Sequence, residues 1–303
     1  MERASDRSSC TCRLTGGGDC HICKDIPLGV NTSRTLERRR AWRDPFRTLP
    51  LGGDTFRPFC IGVKYTHARR REMIFRVGIE NNNEGRSVAY ALEHPGCFAY
   101  GKDANAAALN METALQAYAT WILKHEPRTW LNFEEVEIQV EEAWDVYLIN
   151  DEFDRVEKDG YSVDAFFRYD WKPLTAVEIQ RALKLLAWSR SDLLITVEGL
   201  SDEKLNQTYL GERWSISGIL GHIGGAESWY LDRLGLAFPR QEVPEEPFAR
   251  LEKVRALLKT TLPKLAGSKQ VVGIDGEFWS PRKILRRALW HERDHIEHIR
   301  KLL

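Results

Sequence analysis

Ser280-Pro281-Arg282-Lys283-Ile284-Leu285-Arg286-Arg287-Ala288-Leu289-Trp290-His291-Glu292-Arg293-Asp294-His295-Ile296-Glu297-His298-Ile299-Arg300-Lys301-Leu302-Leu303 is the stretch on which the reading turns. Serine followed by proline is an N-cap with proline at the first helical position, so a helix starts here. Ile284, Ala288, Ile299 and Leu302 recur at helical spacing, and His291 and His295 fall on the same inward stripe. Two histidines four apart rise about 6 Å along a helix and point the same way, so both imidazoles can reach one metal ion. A third, His222, sits on the apolar stripe of an earlier stretch, Ile219-Leu220-Gly221-His222-Ile223. Any one of them could be an ordinary buried, hydrogen-bonded histidine. The three together, out of eight in the sequence, favour a metal site. Three His ligands leave coordination positions for water or substrate, as catalytic metals require.

Working back from that helix, residues 171–303 carry three more helical stretches. Thr175-x-x-Glu178 is a capping box, and Ile179, Leu183, Leu186, Arg190, Leu193 and Val197 form the stripe of the helix it opens, which Gly199 ends. The next begins near Ser215 or Ser217 and carries Ile219, His222, Ala226, Trp229 and Leu234. A third spans about 248–262 after Pro244 and Pro247, and residues 273–279 read as a linker to the last helix. Four helices at this spacing predict an all-α four-helix bundle, in which metal ligands project inward from facing helices.

Residues 73–170 have a different pattern. Strands are predicted over 74–79, 87–92, 97–100 and 136–140, with turn residues at Asn81-Asn82-Asn83-Glu84-Gly85. A helix over 104–124 places Ala108, Met111, Leu115, Tyr118 and Ile122 on one face. The expectation is an α+β domain, a small antiparallel sheet with one helix.

Charge divides the sequence further. Lys and Arg against Asp and Glu number 15 to 8 in residues 1–72, 8 to 19 in 73–170, and 21 to 17 in 171–303. The acidic middle argues against nucleic acid, whose affinity comes from neutralised phosphates. No membrane span or signal peptide is evident, which points to the cytoplasm. Residues 1–72 lack apolar periodicity and carry Gly16-Gly17-Gly18, Arg38-Arg39-Arg40 and Arg69-Arg70-Arg71, so they are expected to be a disordered extension. The abrupt change at Met73 fits a translation start there, with residues 1–72 upstream of the native protein. Cys10-x-Cys12 and Cys20-His21-x-Cys23 read either as a zinc knuckle or as chance cysteines in a leader. The tight Cys-x-Cys spacing favours the second. Beyond the extension only Cys97 remains, so disulfides do not hold the fold.

Two resemblances follow from these residues. Trp214-Ser215-x-x-x-Ile219-Leu220-x-His222-Ile223 and Trp290-His291-x-x-x-His295-x-x-x-Ile299 resemble the DinB/YfiT-like metalloenzyme family over nearly all of residues 171–303. That likeness implies that His222, His291 and His295 ligate one divalent metal. Imidazole ligands suit Zn²⁺, Ni²⁺, Mn²⁺, Fe²⁺ or Co²⁺. The family's chemistry includes transfer of low-molecular-weight thiols. Val88-Ala89-Tyr90-Ala91-Leu92, Pro95-Gly96-Cys97, Gly101-Lys102-Asp103 and the helix through Tyr118 resemble the HicB-like antitoxin domain over about 73–165. Members of that family append a DNA-binding module, which is replaced here by the bundle.

The expected function is therefore metal-assisted hydrolysis or S-transfer, the metal activating water or a small thiol, on a small-molecule substrate for which a low-molecular-weight thiol is one candidate. The alternative is a non-catalytic regulatory module whose HicB-like part binds a small basic protein and whose metal is structural. The oligomeric state is open, a dimer included. Around the trio, Glu292 and Asp294 read as surface charge, and His298 as a group that pairs with His295 behind the metal or as a bystander. Arg190 reads as snorkelling to the bundle end or as reaching substrate acids. Glu227 reads as ligand-orienting, as a base, or as solvent-facing. Trp214, Trp279 and Trp290 read as core.

Overall fold

The computed structural model describes residues 72–303. The expected disorder of the extension and its cluster of Cys10, Cys12, Cys20, His21 and Cys23 lie outside the described residues. The described chain opens with β1 (Glu72–Asn83), β2 (Arg86–Ala91), β3 (Phe98–Gly101), α1 (Ala104–His125) and β4 (Glu135–Asp145). These strands form one sheet in the order β3-β2-β1-β4. β1–β2 and β2–β3 are antiparallel, whereas β4 pairs parallel with β1, Phe75 opposite Ile138. The antiparallel sheet expected from the sequence is thus mixed. The reason is α1, which carries the chain back across the sheet so that β4 must run in the direction of β1.

Alternation puts Phe75, Val77 and Ile79 of β1 inside. They face the buried stripe of α1, Ala107, Met111, Leu115, Tyr118 and Ile122. Burying each large side chain of that stripe contributes about 1.5–3 kcal/mol. The Asp103 side chain caps α1 by accepting from Ala106 N at 2.8 Å. A Cβ at Gly101 would lie 2.1 Å from Ala107 N, so only glycine permits the tight passage from β3 into the helix.

Three short strands follow, β5 (Tyr147–Ile149), β6 (Arg155–Val156) and β7 (Tyr161–Val163), in an antiparallel sheet of order β6-β5-β7. The helical part comprises α2 (Ala176–Val197), a short α3 (Asp202–Asn206), α4 (Ile216–Asp232), α5 (Pro247–Thr261) and, after a hairpin, α6 (Pro281–Leu302). The caps read from the sequence are present. Thr175 and Glu178 bond reciprocally at 3.2 and 2.8 Å, Ser215 accepts from Gly218 N at 3.2 Å, and Ser280 accepts from Lys283 N at 3.2 Å. The linker expected over 273–279 is instead the hairpin of β8 (Val272–Ile274) and β9 (Glu277–Trp279). Asp275 and Gly276 at its tip have φ of 50° and 80°, the left-handed pair a two-residue hairpin turn requires.

α6 packs against α2 and α4, and α5 packs against α4. One cluster of buried apolar residues runs from Phe75 and Met111 under the sheet to Ile179, Leu258 and Leu289 among the helices. α6 is enclosed on every side from Pro281 to Glu292, where the sequence placed only its apolar and histidine stripe inward. Its buried cations are matched by acids from distant parts of the chain. Arg286 meets Asp170 at 2.7 Å, Arg287 meets Asp164 at 2.9 Å and Glu80 at 3.6 Å, and Lys283 meets Glu277 at 3.5 Å. Pairing is what makes such burial tolerable, because an isolated buried charge costs several kcal/mol. No described helix is long and apolar enough to cross a membrane.

Candidate metal centre

His222 comes from α4, and His291 and His295 come from α6, one turn apart. Because α4 and α6 pack side by side, the three rings meet between them. Nε2 of His291 lies 2.9 Å from Nε2 of His222 and 3.0 Å from Nε2 of His295. The three ligand atoms all lie within 4.8 Å of one another. His291 and His295 are buried and His222 is half-buried. The Trp214 indole stacks on the His222 ring at 4.4 Å between centroids, and Tyr230 presents to His291 at 6.2 Å, edge to face.

Protonation does not relieve this crowding. Burial, then the neighbouring His295 and Arg213, push the His222 imidazole down to about 2. Burial and the two other histidines hold His291 well below the ordinary histidine value. Both are therefore neutral at pH 7. A neutral imidazole has one N–H, so Nε2 of His291 cannot serve two neighbouring nitrogens as both donor and acceptor. Nδ1 of His295 is buried without a hydrogen-bond partner. Two nitrogens each about 2.0–2.1 Å from one ion stand about 2.8–3.0 Å apart at octahedral and about 3.3–3.4 Å at tetrahedral angles, and the 2.9 and 3.0 Å found here match the former. The donor set fits one divalent cation.

The acids and bases around the trio are placed differently from the sequence reading. Glu292 is not surface charge but buried, 1% exposed, and accepts from Arg190 Nε at 2.7 Å and Arg255 Nη2 at 2.9 Å. Burial alone would raise its carboxyl, but Arg255 and Arg190 outweigh that and hold it below the usual value. Arg190 does not snorkel. It turns inward, and its Nη1 donates to the Leu251 carbonyl at 2.5 Å. Glu227 is neither solvent-facing nor a free base, since Arg255 donates to it at 2.7 and 2.8 Å and Arg190 at 3.3 Å. Asp294 accepts from the Tyr100 hydroxyl at 2.9 Å. His298 pairs with Glu212 at 2.9 Å, outside the trio. Trp279 and Trp290 are core, whereas Trp214 walls the centre.

Arg255 had no place in the sequence reading. Its signal was available, because it interrupts the buried stripe Leu251, Val254, Leu258 of α5 opposite Glu227 on the inward stripe of α4. A charge on each of two facing stripes is the sequence trace of a buried ion pair. Four charged side chains, two of each sign, thus tie α2, α4, α5 and α6 together immediately beside His291.

A family model of the DinB superfamily matches residues 185–299, a span that contains all three histidines and the four-charge network. A protein of Oceanobacillus iheyensis, provisionally named a metal-dependent hydrolase, is 28% identical over 151 residues, covering 42% of this chain and 86% of that protein. No solved structure matches the chain.

Proposed function

We propose that residues 171–303 form a DinB-type four-helix bundle whose His222, His291 and His295 hold one divalent metal ion, and that the protein is a cytoplasmic metal-dependent enzyme. The observation that carries this reading is the convergence of three imidazole nitrogens at 2.9 and 3.0 Å, which hydrogen bonding among themselves cannot satisfy. The similarity to a protein named for metal-dependent hydrolysis supports it. A divalent ion at three His ligands supplies Lewis acidity that activates water or a small thiol at neutral pH. Hydrolysis and thiol S-transfer are the two reactions that fit. The chain's own residues do the rest. His291 and His295 are held in register by one turn of α6, Trp214 fixes the His222 ring by stacking, and the network of Arg190, Arg255, Glu227 and Glu292 anchors the segment that bears His291.

Elemental analysis of the purified full-length protein tests the reading. About one Zn, Ni, Mn, Fe or Co per chain is expected in the wild type, and none in His222→Ala, His291→Ala or His295→Ala proteins whose circular dichroism is unchanged. Wild-type protein without stoichiometric metal would overturn it. Ester hydrolysis and consumption of a small thiol by an electrophile, each assayed with and without chelator, separate the two chemistries.

A second reading has one observation in its favour. β4 is an edge strand that exposes Glu135, Glu137 and Glu141. An acidic edge suits strand addition by a small basic protein, as a HicB-like module would use. On that reading the metal is structural and its coordination shell is closed to solvent, whereas a metal with an exchangeable water marks the enzyme.

A further inference from the structure

A cleft of about 530 Å³ lies between α1, α2 and α6, within the range of small-molecule sites. It is on the far side of α6 from the histidines. At 100° per residue Arg293 stands about 160° from both His291 and His295. Its apolar walls are Phe98, Tyr118, Trp121 and Ile296. The guanidinium of Arg293 lies over the Trp121 ring at 3.9 Å and 5.5 Å from Tyr118.

Arg293 differs from the other inward arginines in one respect. Arg190, Arg255, Arg286 and Arg287 each have a carboxylate at 2.9 Å or closer. Arg293 is largely withdrawn from solvent, its Nε is buried without a hydrogen-bond partner, and among the described residues it makes no ion pair. The two carboxylates bordering the cleft act on Arg293 from beyond ion-pair distance and make their close contacts with other groups. Asp192 accepts from Trp121 Nε1 at 2.6 Å and faces His125 at 3.6 Å, and Glu297 pairs with Arg300 at 2.6 Å. Lys124 adds a second cation at the rim. A planar donor fork held on an aromatic face, with no carboxylate at ion-pair distance among the described residues, is poised for a planar or tetrahedral anion.

We propose that this cleft binds a small organic anion, a carboxylate or phosphate that meets Arg293 while its apolar body lies against Phe98, Tyr118, Trp121 and Ile296. The site is independent of the metal reading.

Isothermal titration of the full-length protein, in chloride buffer, with benzoate, phenyl phosphate and inorganic phosphate tests it. One aryl anion per chain is expected to bind at least about tenfold more tightly than inorganic phosphate, and the tighter of the two identifies the head group. Arg293→Met removes the cation, and Ala117→Trp fills the mouth from an exposed position of α1. Each is expected to weaken binding by about tenfold or more. Arg293→Met, whose side chain keeps an apolar stem over Trp121, should retain the wild-type circular dichroism without ligand. Binding should persist in His222→Ala. No aryl-anion binding in the millimolar range, equal binding of inorganic phosphate, or full binding by Ala117→Trp overturns the proposal, as does loss of binding in His222→Ala, which would put the anion on the metal. Should Arg293→Met fail to fold, Ala117→Trp alone decides.

Discussion

Glu292→Gln is the perturbation that most directly probes what holds the helix bearing His291 and His295. In the wild type Glu292 and Glu227 balance Arg190 and Arg255, and all four side chains are 11% exposed or less. The substitution keeps the volume and one acceptor oxygen but leaves two guanidinium charges facing one carboxylate. Arg190 is hit harder, because its contact with Glu227 is 3.3 Å against 2.7 Å to Glu292. Removing one partner of a buried pair costs about 3–5 kcal/mol, and the retained amide places this case near 3. A protein of this size loses about 2–4 °C of Tm per kcal/mol, so a fall of about 6–12 °C is expected. The control is the double variant Glu292→Gln with Arg190→Gln, which restores neutrality around the remaining Arg255–Glu227 pair. It should melt higher than the sum of the single effects by at least about 1 kcal/mol. Thermal melts followed by circular dichroism, with metal content measured on the same samples, give the answer. Metal content should hold in both variants, because no ligand is touched. A Glu292→Gln protein melting within about 2 °C of wild type, or strict additivity in the double variant, would refute the assignment of this network as a buried charge balance.

Two further expectations concern the other face of α6 and the turn before it. The His94 imidazole is lowered to about 4, chiefly by burial, with Glu93 opposing and Arg181 reinforcing. A depressed folded value means that the unfolded chain binds the extra proton first, so stability is lost as pH falls from about 6.5 toward about 4. That group contributes on the order of 3 kcal/mol of this slope. Urea midpoints at pH 7 and pH 5 should differ less for His94→Gln than for wild type, and an identical difference would remove His94 as the cause. Gly96 has φ of +87°, and a Cβ there would lie 3.1 Å from Arg293 Cδ and 3.2 Å from Leu289 Cβ. Gly199, at φ +72°, has open space. Gly96→Ala should therefore cost more than Gly199→Ala, which carries only the backbone strain of about 1–3 kcal/mol. Equal melting points for the two variants would show that the turn yields without disturbing α6.

The parts legible in the sequence are those governed by local chemistry. The capping box at Thr175 and Glu178, the caps Ser215 and Ser280, and the inward stripe bearing His291 and His295 depend on neighbours within one or two turns, and all are in the structure. His222 joined them because it too sat where an apolar residue was due. The misreadings share the opposite property. Glu292 looked solvated because its partners, Arg190 and Arg255, are 102 and 37 residues away. Arg286 and Arg287 had no place on the inward stripe, because their partners Asp170, Asp164 and Glu80 precede them by more than a hundred residues. β5 to β9 span two or three residues each, too short for alternation to register. Asp275-Gly276 between β8 and β9 is an Asp-Gly turn signal.

These facts together assign α6 a role that neither half of the chain has alone. Its histidine face meets α4, its Glu292 face meets α2 and α5 through Arg190 and Arg255, and its Arg286 and Arg287 face meets the segment around Asp164 and Asp170. Asp164 is tied in turn to β9 through Glu277, and the next residue, Ala165, donates to Glu80 of β1 at 2.8 Å. The Trp290 indole completes the circuit, donating to the Tyr100 hydroxyl at 3.1 Å while that hydroxyl donates to Asp294. The helix that presents two of the three histidines is therefore positioned from the sheet side by charge pairs, and from the bundle side by a second set. Cations buried against the sheet cannot return to water without also unpairing Glu80, Asp164 and Asp170. The register of α6, and with it the spacing of His291 and His295 from His222, is set by charge pairs to the N-terminal α+β part as well as by the helices around the three histidines.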